Sequence, residues 1–296
     1  MLKHKKQLYY HAMMLPGMIF LIIFNFVPLL GLFMAFENYS LSKGIIGSPW
    51  VGLQNFKFIF SLKDSRQIFS NTIIISLGKI LLGVIVPVIF SLLLNEVRHT
   101  RFKKSVQTIV YMPHFLSWVV FAAIVRAVFG YDGFINQILT AFRIEPILFL
   151  GSNKWFQSVM IISESWKEFG YGSVIYLAAL TGINPDLYEA ASIDGAGRWK
   201  KLLYVTLPGI MPIILIMFTM ALPNILNAGF DQIYNLYNAS VYDTGDILDT
   251  YVYRIGLLKH QYSLGTAVGL IKSVVGMILI ILANKLITTF SDRKMF

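Results

Sequence analysis

Residues 68–94 read IFSNTIIISLGKILLGVIVPVIFSLLL, and Lys79 is the one charged residue among them. A segment in hydrocarbon must satisfy its own backbone hydrogen bonds, so about 20 consecutive apolar residues form a spanning helix. The stretch therefore predicts a transmembrane helix. Five more stretches meet the same test: Met13–Phe36, Ser105–Phe129, Trp155–Leu180, Thr206–Phe230 and Leu264–Thr288. The predicted fold class is an all-α membrane protein with six transmembrane helices.

The composition indicates that the lipid bilayer is the main solvent of this chain. The 296 residues are 56% apolar and 14% charged, and the mean hydropathy is +0.65, which is unusual for a soluble domain. The net charge of +10 comes from short basic clusters between apolar stretches. A nucleic-acid binder has a basic stripe with interleaved aromatic residues instead, so we expect no nucleic-acid partner. Cysteine is absent, and we expect neither a metal site nor a catalytic thiol.

The distribution of Lys and Arg predicts the orientation of the chain in the membrane. With the N-terminal tail in the cytoplasm, twelve Lys and Arg residues fall in short inner segments and eight in longer outer loops. Positive charges are retained on the cytoplasmic side, so we expect both termini there. We divide the chain into a tail, first helix and outer loop (1–67), one membrane domain (68–288) and a cytoplasmic tail (289–296).

The residues of the loop between the fourth and fifth predicted spans predict its local structure. Residues 184–208 read NPDLYEAASIDGAGRWKKLLYVTLP. Asn184 and Pro185 suit the cap and the first turn of a helix. Gly195 and Gly197 permit a tight turn after it. The charge distribution places this short helix on the cytoplasmic side, where it is either a docking element or an amphipathic helix that lies in the interface.

The same loop resembles the EAA loop of type I binding-protein-dependent ABC importer permeases. The matching residues are Glu189-Ala190-Ala191, then Gly195 six positions after the glutamate, and the ending Val205-Thr206-Leu207-Pro208. In that family the loop forms a coupling helix that lies in a groove of the ATP-binding subunit. The resemblance implies this coupling role for Tyr188, Glu189, Ala190, Ala191, Asp194, Gly195 and Ala196.

The resemblance covers residues 68–288, which it identifies with an ABC transmembrane type-1 permease domain. It is closest to the multi-sugar and polysaccharide branch, on the residues Tyr111-Met112-Pro113 and Phe230-Asp231-Gln232. It implies a prokaryotic cell-membrane protein that forms half of a path for an oligosaccharide or related carbohydrate. The implied partners are a second homologous permease, two ATP-binding subunits and an extracytoplasmic solute-binding protein. ATP and magnesium are expected in the ATP-binding subunits, because this chain has no phosphate-binding Walker loop.

Several charged residues lie inside the predicted spans, where an unpaired charge is costly. Lys79, Lys272 and the group from Glu164 to Glu168 fall at similar depth. We therefore predict ion pairing among the second, fourth and sixth spans through Lys79, Glu164, Lys167, Glu168 and Lys272. Glu164 and Glu168 are one helical turn apart, a spacing that a proton-coupled secondary transporter also uses. The coupling-helix resemblance favours the ATP-driven importer.

Candidate residues for the solute path are the aromatic and amide side chains within spans, because sugars bind to ring faces and amides. These are Trp118, Tyr171, Asn224 and Asn227. The same residue types also form interfacial belts and contacts between helices. A membrane glycan-processing enzyme is the other alternative, but the acids of the outer loop after Phe230 have no histidine partner or recognised spacing. We expect no catalytic residue.

Overall fold

The computed structural model describes residues 2–61 and 64–290, and every regular element in this part of the chain is a helix. The nearest approach to a sheet among these residues is a single antiparallel bridge between Glu37 and Trp50. The all-α prediction is therefore confirmed. Most of the predicted cytoplasmic tail, residues 291–296, lies outside the described residues.

The chain divides into two compact units, Met1–Ser65 with Tyr251–Ser273, and Arg66–Thr250 with Val274–Phe296. Eleven helices are labelled here in chain order: α1 Leu2–Leu21, α2 Gln54–Ser61, α3 Ser65–Asn95, α4 Thr100–Tyr111, α5 Trp118–Phe129, α6 Phe134–Ala141, α7 Phe156–Thr181, α8 Pro185–Ile193, α9 Leu207–Ala221, α10 Phe230–Leu236 and α11 Tyr262–Phe290. The shorter α-helical pieces are Val27–Leu29, Gly44–Gly47, Arg198–Lys201, Tyr242–Gly245 and Leu248–Val252. The 3-10 segments are Leu30–Phe36, Met112–Phe115, Leu222–Leu226 and Ala239–Val241, and the π segments are Ile22–Phe26, Leu202–Thr206 and Tyr253–Leu258.

The first unit is built on a long N-terminal helical path and the turn before α11. Apolar side chains along α1 and its continuation are mostly exposed, as expected for a helix in contact with lipid. The segment after it is held by Asn55, whose side chain donates to the carbonyls of Ala35 and Glu37, both at 2.9 Å. The backbone N–H of Tyr39 donates to Ser263 Oγ at 2.9 Å. These bonds fix the loop after the first span to the start of α11.

The second unit is organised around α7, the helix with the most deeply buried face. Its buried positions include Phe156, Ser163, Gly170, Ser173 and Tyr176. Small residues at such positions let neighbouring helices approach closely. At Gly170 this approach is tight, because an added Cβ would lie 2.1 Å from the carbonyl oxygen of Val110 in α4.

Five helical segments in the described part of the chain are long and apolar enough to cross a membrane. They are Tyr9–Phe36, Ser65–Asn95, Trp118–Ala141, Arg198–Leu226 and Tyr262–Leu282. The fourth predicted span corresponds to α7, which has 26 residues. It is long enough to cross, but Glu164, Lys167 and Glu168 in its middle keep it out of this group. The count of six spans and the orientation of the termini stay predictions.

The third predicted span, Ser105–Phe129, is not one helix. Its first part, α4, ends at Tyr111, and α5 begins at Trp118. Pro113 has no backbone N–H and its ring disrupts the preceding turn, so the chain passes through a 3-10 segment. Ser117 then caps α5 by accepting a hydrogen bond from the Val120 N–H at 3.4 Å. The prediction of a single helix here is wrong because the proline separates two helices.

The fifth predicted span, Thr206–Phe230, is shifted towards the N-terminus. The helical path already begins at Arg198 and ends at Leu226. Pro223 stands at the start of the 3-10 segment that ends it, and Gly229 then takes a positive φ of 88° before α10 begins. Residues 227–229 are therefore outside the helix, and this break contributes to the site described next.

Candidate functional site

Helix α8 has a complete cap at its N-terminus. The Asn184 side-chain oxygen accepts a hydrogen bond from the Asp186 N–H at 3.0 Å, and Pro185 occupies the first turn. Asp186 also places a negative charge at the positive end of the helix. The sequence therefore starts this helix at a defined residue, as predicted from Asn184-Pro185.

The C-terminus of α8 is closed at Gly195, which has a φ of 75°. The Ala196 N–H donates to the Ala191 carbonyl at 2.8 Å, and the Gly195 N–H donates to the Ser192 carbonyl at 3.1 Å. This pair of bonds is the Schellman motif, in which glycine takes the left-handed conformation without steric cost. Gly197 was predicted to share this role, but it has an ordinary φ of −71° and precedes the next helical turn.

Two side-chain contacts tie α8 to the chain that leads into α9. The Tyr188 hydroxyl lies 3.0 Å from Thr206 Oγ1, and Lys201 Nζ donates to Ser192 Oγ at 2.6 Å. Tyr188 is partly buried, whereas Glu189, Ala190 and most of the remaining helix are exposed. These two polar contacts connect α8 to the segment that leads into α9.

The exposed side of α8 carries apolar groups that nothing in the described chain covers. Leu187 is 53% exposed and Ile193 is 87% exposed, and Trp199 just beyond the helix is 76% exposed. Glu189 and Asp194 add negative charge between and beside them. Small alanines, projecting apolar groups and acids together form a surface suited to a groove on another protein.

A cavity of about 380 Å³ lies among α3, α7 and the end of α9, and we call it the α3–α7 cavity. It is lined by Ser76, Lys79, Ile80, Gly83, Val84, Glu164, Ser165, Glu168, Gly172, Tyr176, Met217, Ala221, Asn224, Asn227 and Gly229. Its wall combines hydroxyl, amide and carboxylate groups with apolar side chains. Ligand pockets in proteins combine an apolar wall with a few placed polar groups in this way.

Lys79 is the centre of a polar network beside this cavity. Its Nζ lies 3.3 Å from Glu164 Oε2, donates to the Ala228 carbonyl at 2.6 Å and donates to Gln232 Oε1. An ammonium group has three hydrogens to donate, and these three acceptors account for all of them. Each hydrogen of the Lys79 ammonium group therefore has a partner within the protein.

Gln232 extends the network into the core of the second unit. It is fully buried, and its Nε2 donates to the Met160 carbonyl and to Ser163 Oγ, both at 2.8 Å. Each buried polar atom of this side chain therefore has a partner.

The backbone break before α10 is held by side chains of α3. Ser76 Oγ donates to the Ile225 carbonyl and Lys79 donates to the Ala228 carbonyl. Non-helical backbone at membrane depth needs such replacement partners. Gly229 allows the chain to pass close to Lys79, because an added Cβ would lie 2.8 Å from its Nζ.

A second charged cluster joins α7 to the break between α4 and α5. Glu168 contacts two side chains, with Oε2 at 2.6 Å from His114 Nδ1 and Oε1 at 2.7 Å from Lys167 Nζ. Lys167 also donates to the His114 carbonyl at 2.9 Å. The imidazole of His114 stacks on Tyr171, with ring centroids 4.0 Å apart. His114 therefore has both a packing contact and a polar contact.

The structure separates the residues predicted for the solute path. Asn224 and Asn227 line the α3–α7 cavity. Trp118 packs instead against the core of the second unit, with its ring 5.3 Å from that of Phe121, and Tyr171 stacks on His114. Neither aromatic residue is among the residues that line the cavity.

The residues predicted to form ion pairs fall into separate groups. Lys79 and Glu164 are in contact across α3 and α7, and Lys167 and Glu168 are in contact within α7. Lys272 belongs to α11 in the first unit, and its predicted pairing stays a prediction. Sequence reasoning did not assign Gln232 a role, although Phe230-Asp231-Gln232 supported the resemblance. The one feature of the sequence that could have indicated a role for Gln232 was an amide side chain just after the end of a predicted span.

The described residues form helices around a polar cavity, and an exposed helix is tied to one of these helices. This arrangement fits a transport subunit. Residues 83–295 match the family described as binding-protein-dependent transport system inner membrane component. The chain belongs to this family and is a non-catalytic permease subunit of an ABC importer, with several spans in the bacterial cell membrane. Family membership excludes the proton-coupled carrier and the glycan-processing enzyme.

Relatives of similar length support this assignment. The chain is 39% identical to the polygalacturonan/rhamnogalacturonan transport system permease protein YteP and 38% identical to the protein LplB, both of Bacillus subtilis (strain 168). Each match covers 100% of this chain and 92% of the relative.

Solved structures have the same fold. A chain of a bacterial ABC transporter involved in the import of the acidic polysaccharide alginate superposes with a TM-score of 0.88 at 37% identity, covering 95% of this chain and 96% of that one. A bacterial alginate ABC transporter in complex with an alginate pentasaccharide-bound periplasmic protein gives a TM-score of 0.89 at 35% identity, with 98% and 97% covered.

Proposed function

We propose that this chain forms half of the translocation path for an oligosaccharide and that α8 is the helix through which ATP hydrolysis drives it. The observation that carries the proposal is the geometry of α8. It is capped at both ends, exposed on one side and bonded to Thr206 through Tyr188. Such a helix is stiff enough to move as a unit and is linked to the helix that borders the cavity.

The coupling surface comprises Tyr188, Glu189, Ala190, Ala191, Asp194, Gly195 and Ala196. The exposed apolar groups around it supply contact area, and Glu189 supplies a charge that fits a cation on the partner. The expected partner on this side is one of two ATP-binding subunits, which hold ATP and magnesium. This chain has no phosphate-binding loop in its sequence that duplicates that role.

The carbohydrate substrate is supported by the α3–α7 cavity and by the relatives. Asn224, Asn227 and the carboxylates of α7 offer hydrogen-bond partners for hydroxyl groups. Relatives of this chain are named as transport permeases for polygalacturonan/rhamnogalacturonan, galactooligosaccharides and arabinooligosaccharides. An oligosaccharide or a related carbohydrate is the substrate class that both observations favour.

The assembly follows from the same reasoning. We propose six spans with α7 as the fourth, both termini in the cytoplasm, and residues 68–288 as the permease domain. The contacts of Glu164 with Lys79 and of Glu168 with Lys167 and His114 make the charges of α7 tolerable at membrane depth. A second homologous permease completes the path. A solute-binding protein delivers the sugar from outside.

The experiment is reconstitution of this chain with the permease, ATPase and binding protein encoded beside it. We expect that sugar-loaded binding protein stimulates ATP hydrolysis and that labelled sugar enters the vesicles. Glu189→Lys places a cation on the coupling surface and is expected to abolish both activities without preventing membrane insertion.

The matched control is Glu145→Lys, which makes the same charge change at an exposed glutamate outside α8. We expect uptake close to wild type in this variant. Normal uptake and normal ATPase stimulation in Glu189→Lys would refute the coupling role of α8.

A further inference from the structure

The first unit contains a polar cleft of about 570 Å³ that the transport path described above does not use. One wall is the segment from Asn38 to Phe58, and the other is the turn from His260 to Leu264. We call it the Tyr39–Tyr262 cleft after the two tyrosines on opposite walls. Small-ligand sites in proteins have volumes of about 300–1,000 Å³, so the cleft is of the size that holds one or a few sugar rings.

The walls of the cleft are fixed by the hydrogen bonds of the first unit. The Tyr39 N–H is bonded to Ser263 Oγ, and Asn55 bonds the backbone on either side of Phe36. The rings of Tyr39 and Tyr262 meet edge to face at 5.9 Å between centroids. The cleft is therefore formed before a ligand arrives, which lowers the entropic cost of binding.

Three amide side chains line the cleft without an internal role. Asn38, Gln54 and Gln261 are exposed, and none of them has a side-chain hydrogen bond to any residue that the structure describes. A primary amide offers two donors and one acceptor oxygen, which is the set that pairs of sugar hydroxyl groups require. Phe58, which is 49% exposed, adds an apolar ring face to the same cleft.

The cleft also lacks fixed charge. None of its described lining residues is an aspartate, glutamate, lysine or arginine, and His260 is the titratable side chain other than the tyrosines. The α3–α7 cavity differs, because Lys79, Glu164 and Glu168 line it. Hydroxyl groups and ring faces, rather than carboxylates, are the ligand groups that such a wall recognises.

The turn that carries His260 is held in an uncommon conformation. His260 has a φ of 56°, a left-handed value that is rare for a residue with a side chain. Its Nδ1 lies 3.1 Å from the Tyr262 hydroxyl. Backbone conformations of this kind persist where the surrounding structure holds them and are concentrated at ligand sites.

We propose that the Tyr39–Tyr262 cleft is a second carbohydrate site, which binds a neutral sugar unit by amide hydrogen bonds and ring contacts. The ligand class rests on the proposed carbohydrate transport, and the cleft lies in the loops that the charge distribution assigns to the outer side. A sugar would therefore meet this cleft before it enters the membrane path.

The test is equilibrium binding to the full-length chain in lipid nanodiscs, followed by saturation-transfer NMR with galactotriose as a neutral probe and trigalacturonate as a charged one. We expect galactotriose to bind. The double variant Asn38→Ala/Gln261→Ala is expected to bind it about tenfold more weakly, because two amide hydrogen bonds are lost. Asn95→Ala, an exposed amide at the end of α3 with no side-chain hydrogen bond, is the matched control and is expected to bind as wild type does.

One further double variant locates the signal. Asn224→Ala/Asn227→Ala changes the α3–α7 cavity alone, and we expect the tenfold effect of the cleft variant to persist in that background. Failure of the proposed transport function would appear as lost uptake with cleft binding intact, so the two hypotheses fail separately.

Three results of the sugar-binding measurement would overturn the proposal. They are no binding of galactotriose by the wild-type chain, equal affinity of the wild type and the cleft variant, and binding of trigalacturonate as tight as that of galactotriose. A cleft variant that binds sugar normally but has lost affinity for the purified solute-binding protein would also overturn it, and would assign the cleft to protein docking.

Discussion

Helix α8 and the α3–α7 cavity are two functional regions that the chain builds in opposite ways. The cap and the closing turn of α8 lie between Asn184 and Ala196, and the hydrogen bonds that form them join residues two to five positions apart. The network at the cavity joins Lys79 to Glu164, Ala228 and Gln232, which are 85 to 153 positions away. Helix α8 is therefore shaped locally, whereas the α3–α7 cavity exists only when three helices have assembled.

The difference predicts where substitutions act. A change in the Lys79 network is expected to affect folding of the second unit, because Ala228 and Gln232 are fully buried and have no water to replace a lost contact. A change in α8 is expected to affect coupling, because most of that helix is exposed and touches the remaining chain at a few atoms. The following predictions test this distinction, from the largest expected effect to the smallest.

Lys79→Met is expected to have the largest effect. It leaves the carboxylate of Glu164 and the acceptors of Ala228 and Gln232 without their common donor. A buried acceptor left without its donor costs about 1–3 kcal/mol of unfolding free energy, and Ala228 and Gln232 are both fully buried. Thermal unfolding of the purified chain, followed by tryptophan fluorescence, measures the change.

The double variant Lys79→Met/Glu164→Gln is the control for charge. We expect it to recover part of the lost stability, because the uncompensated carboxylate is gone. A single variant as stable as wild type would show that the network is not a folding element and would remove the contrast with α8.

Gly229→Ala tests the backbone break beside Lys79. The left-handed conformation costs a residue with a side chain about 1–2 kcal/mol, and the added Cβ would lie 2.8 Å from Lys79 Nζ. We expect a lower unfolding temperature and weaker sugar uptake. Gly269→Ala is the matched control, because Gly269 lies in α11 with no atom within 4 Å of an added Cβ, and alanine favours a helix.

Gly195→Val tests whether the turn that ends α8 depends on Gly195 and not on the nearby Gly197. At a φ of 75° valine strains the backbone, although no atom lies within 4 Å of the added Cβ. We expect normal insertion and a small fall in unfolding temperature, but at least a tenfold lower uptake per ATP hydrolysed. Gly197→Ala, at a φ of −71°, is expected to transport normally. Equal effects of the two substitutions would contradict the assignment of the turn to Gly195.

Tyr188→Phe is expected to have the smallest effect. It deletes one hydroxyl contact, that with Thr206, and such a bond contributes about 1 kcal/mol. Transport per ATP hydrolysed is expected to fall several-fold with no change in unfolding temperature. Thr206→Val should have a similar effect, and the double variant should add little to either one. Strictly additive effects would show that the two residues do not act through this contact.

The residues of α8 explain why the sequence was informative about this region. Asn184, Pro185 and Gly195 have conformational preferences that do not depend on distant partners. The apolar segments could likewise be predicted as spanning helices, because hydrocarbon requires a helix of a certain length. The error at Ser105–Phe129 arose where a single proline outweighed an otherwise continuous apolar pattern, and α7 has the length of a span but charges that obscure it.

The residues that line the α3–α7 cavity could be predicted only in part, because their positions depend on distant partners. Asn224 and Asn227 were selected by residue type and line the cavity, but Trp118, selected in the same way, packs against Phe121 in the core. Residue type does not determine which side of a helix faces a cavity. Gln232 received no role because its buried position depends on contacts with Lys79 and Ser163.

By itself the sequence determined the helical membrane class, the cap and the turn of α8, and the residues that resemble a coupling helix, since each of these depends on local backbone preference or on the solvent. The tertiary structure alone decided the partners of Lys79, the position of Asn224 and Asn227 in the cavity wall, and the Tyr39–Tyr262 cleft. These features join segments far apart in the chain, and no local preference specifies which distant side chains meet.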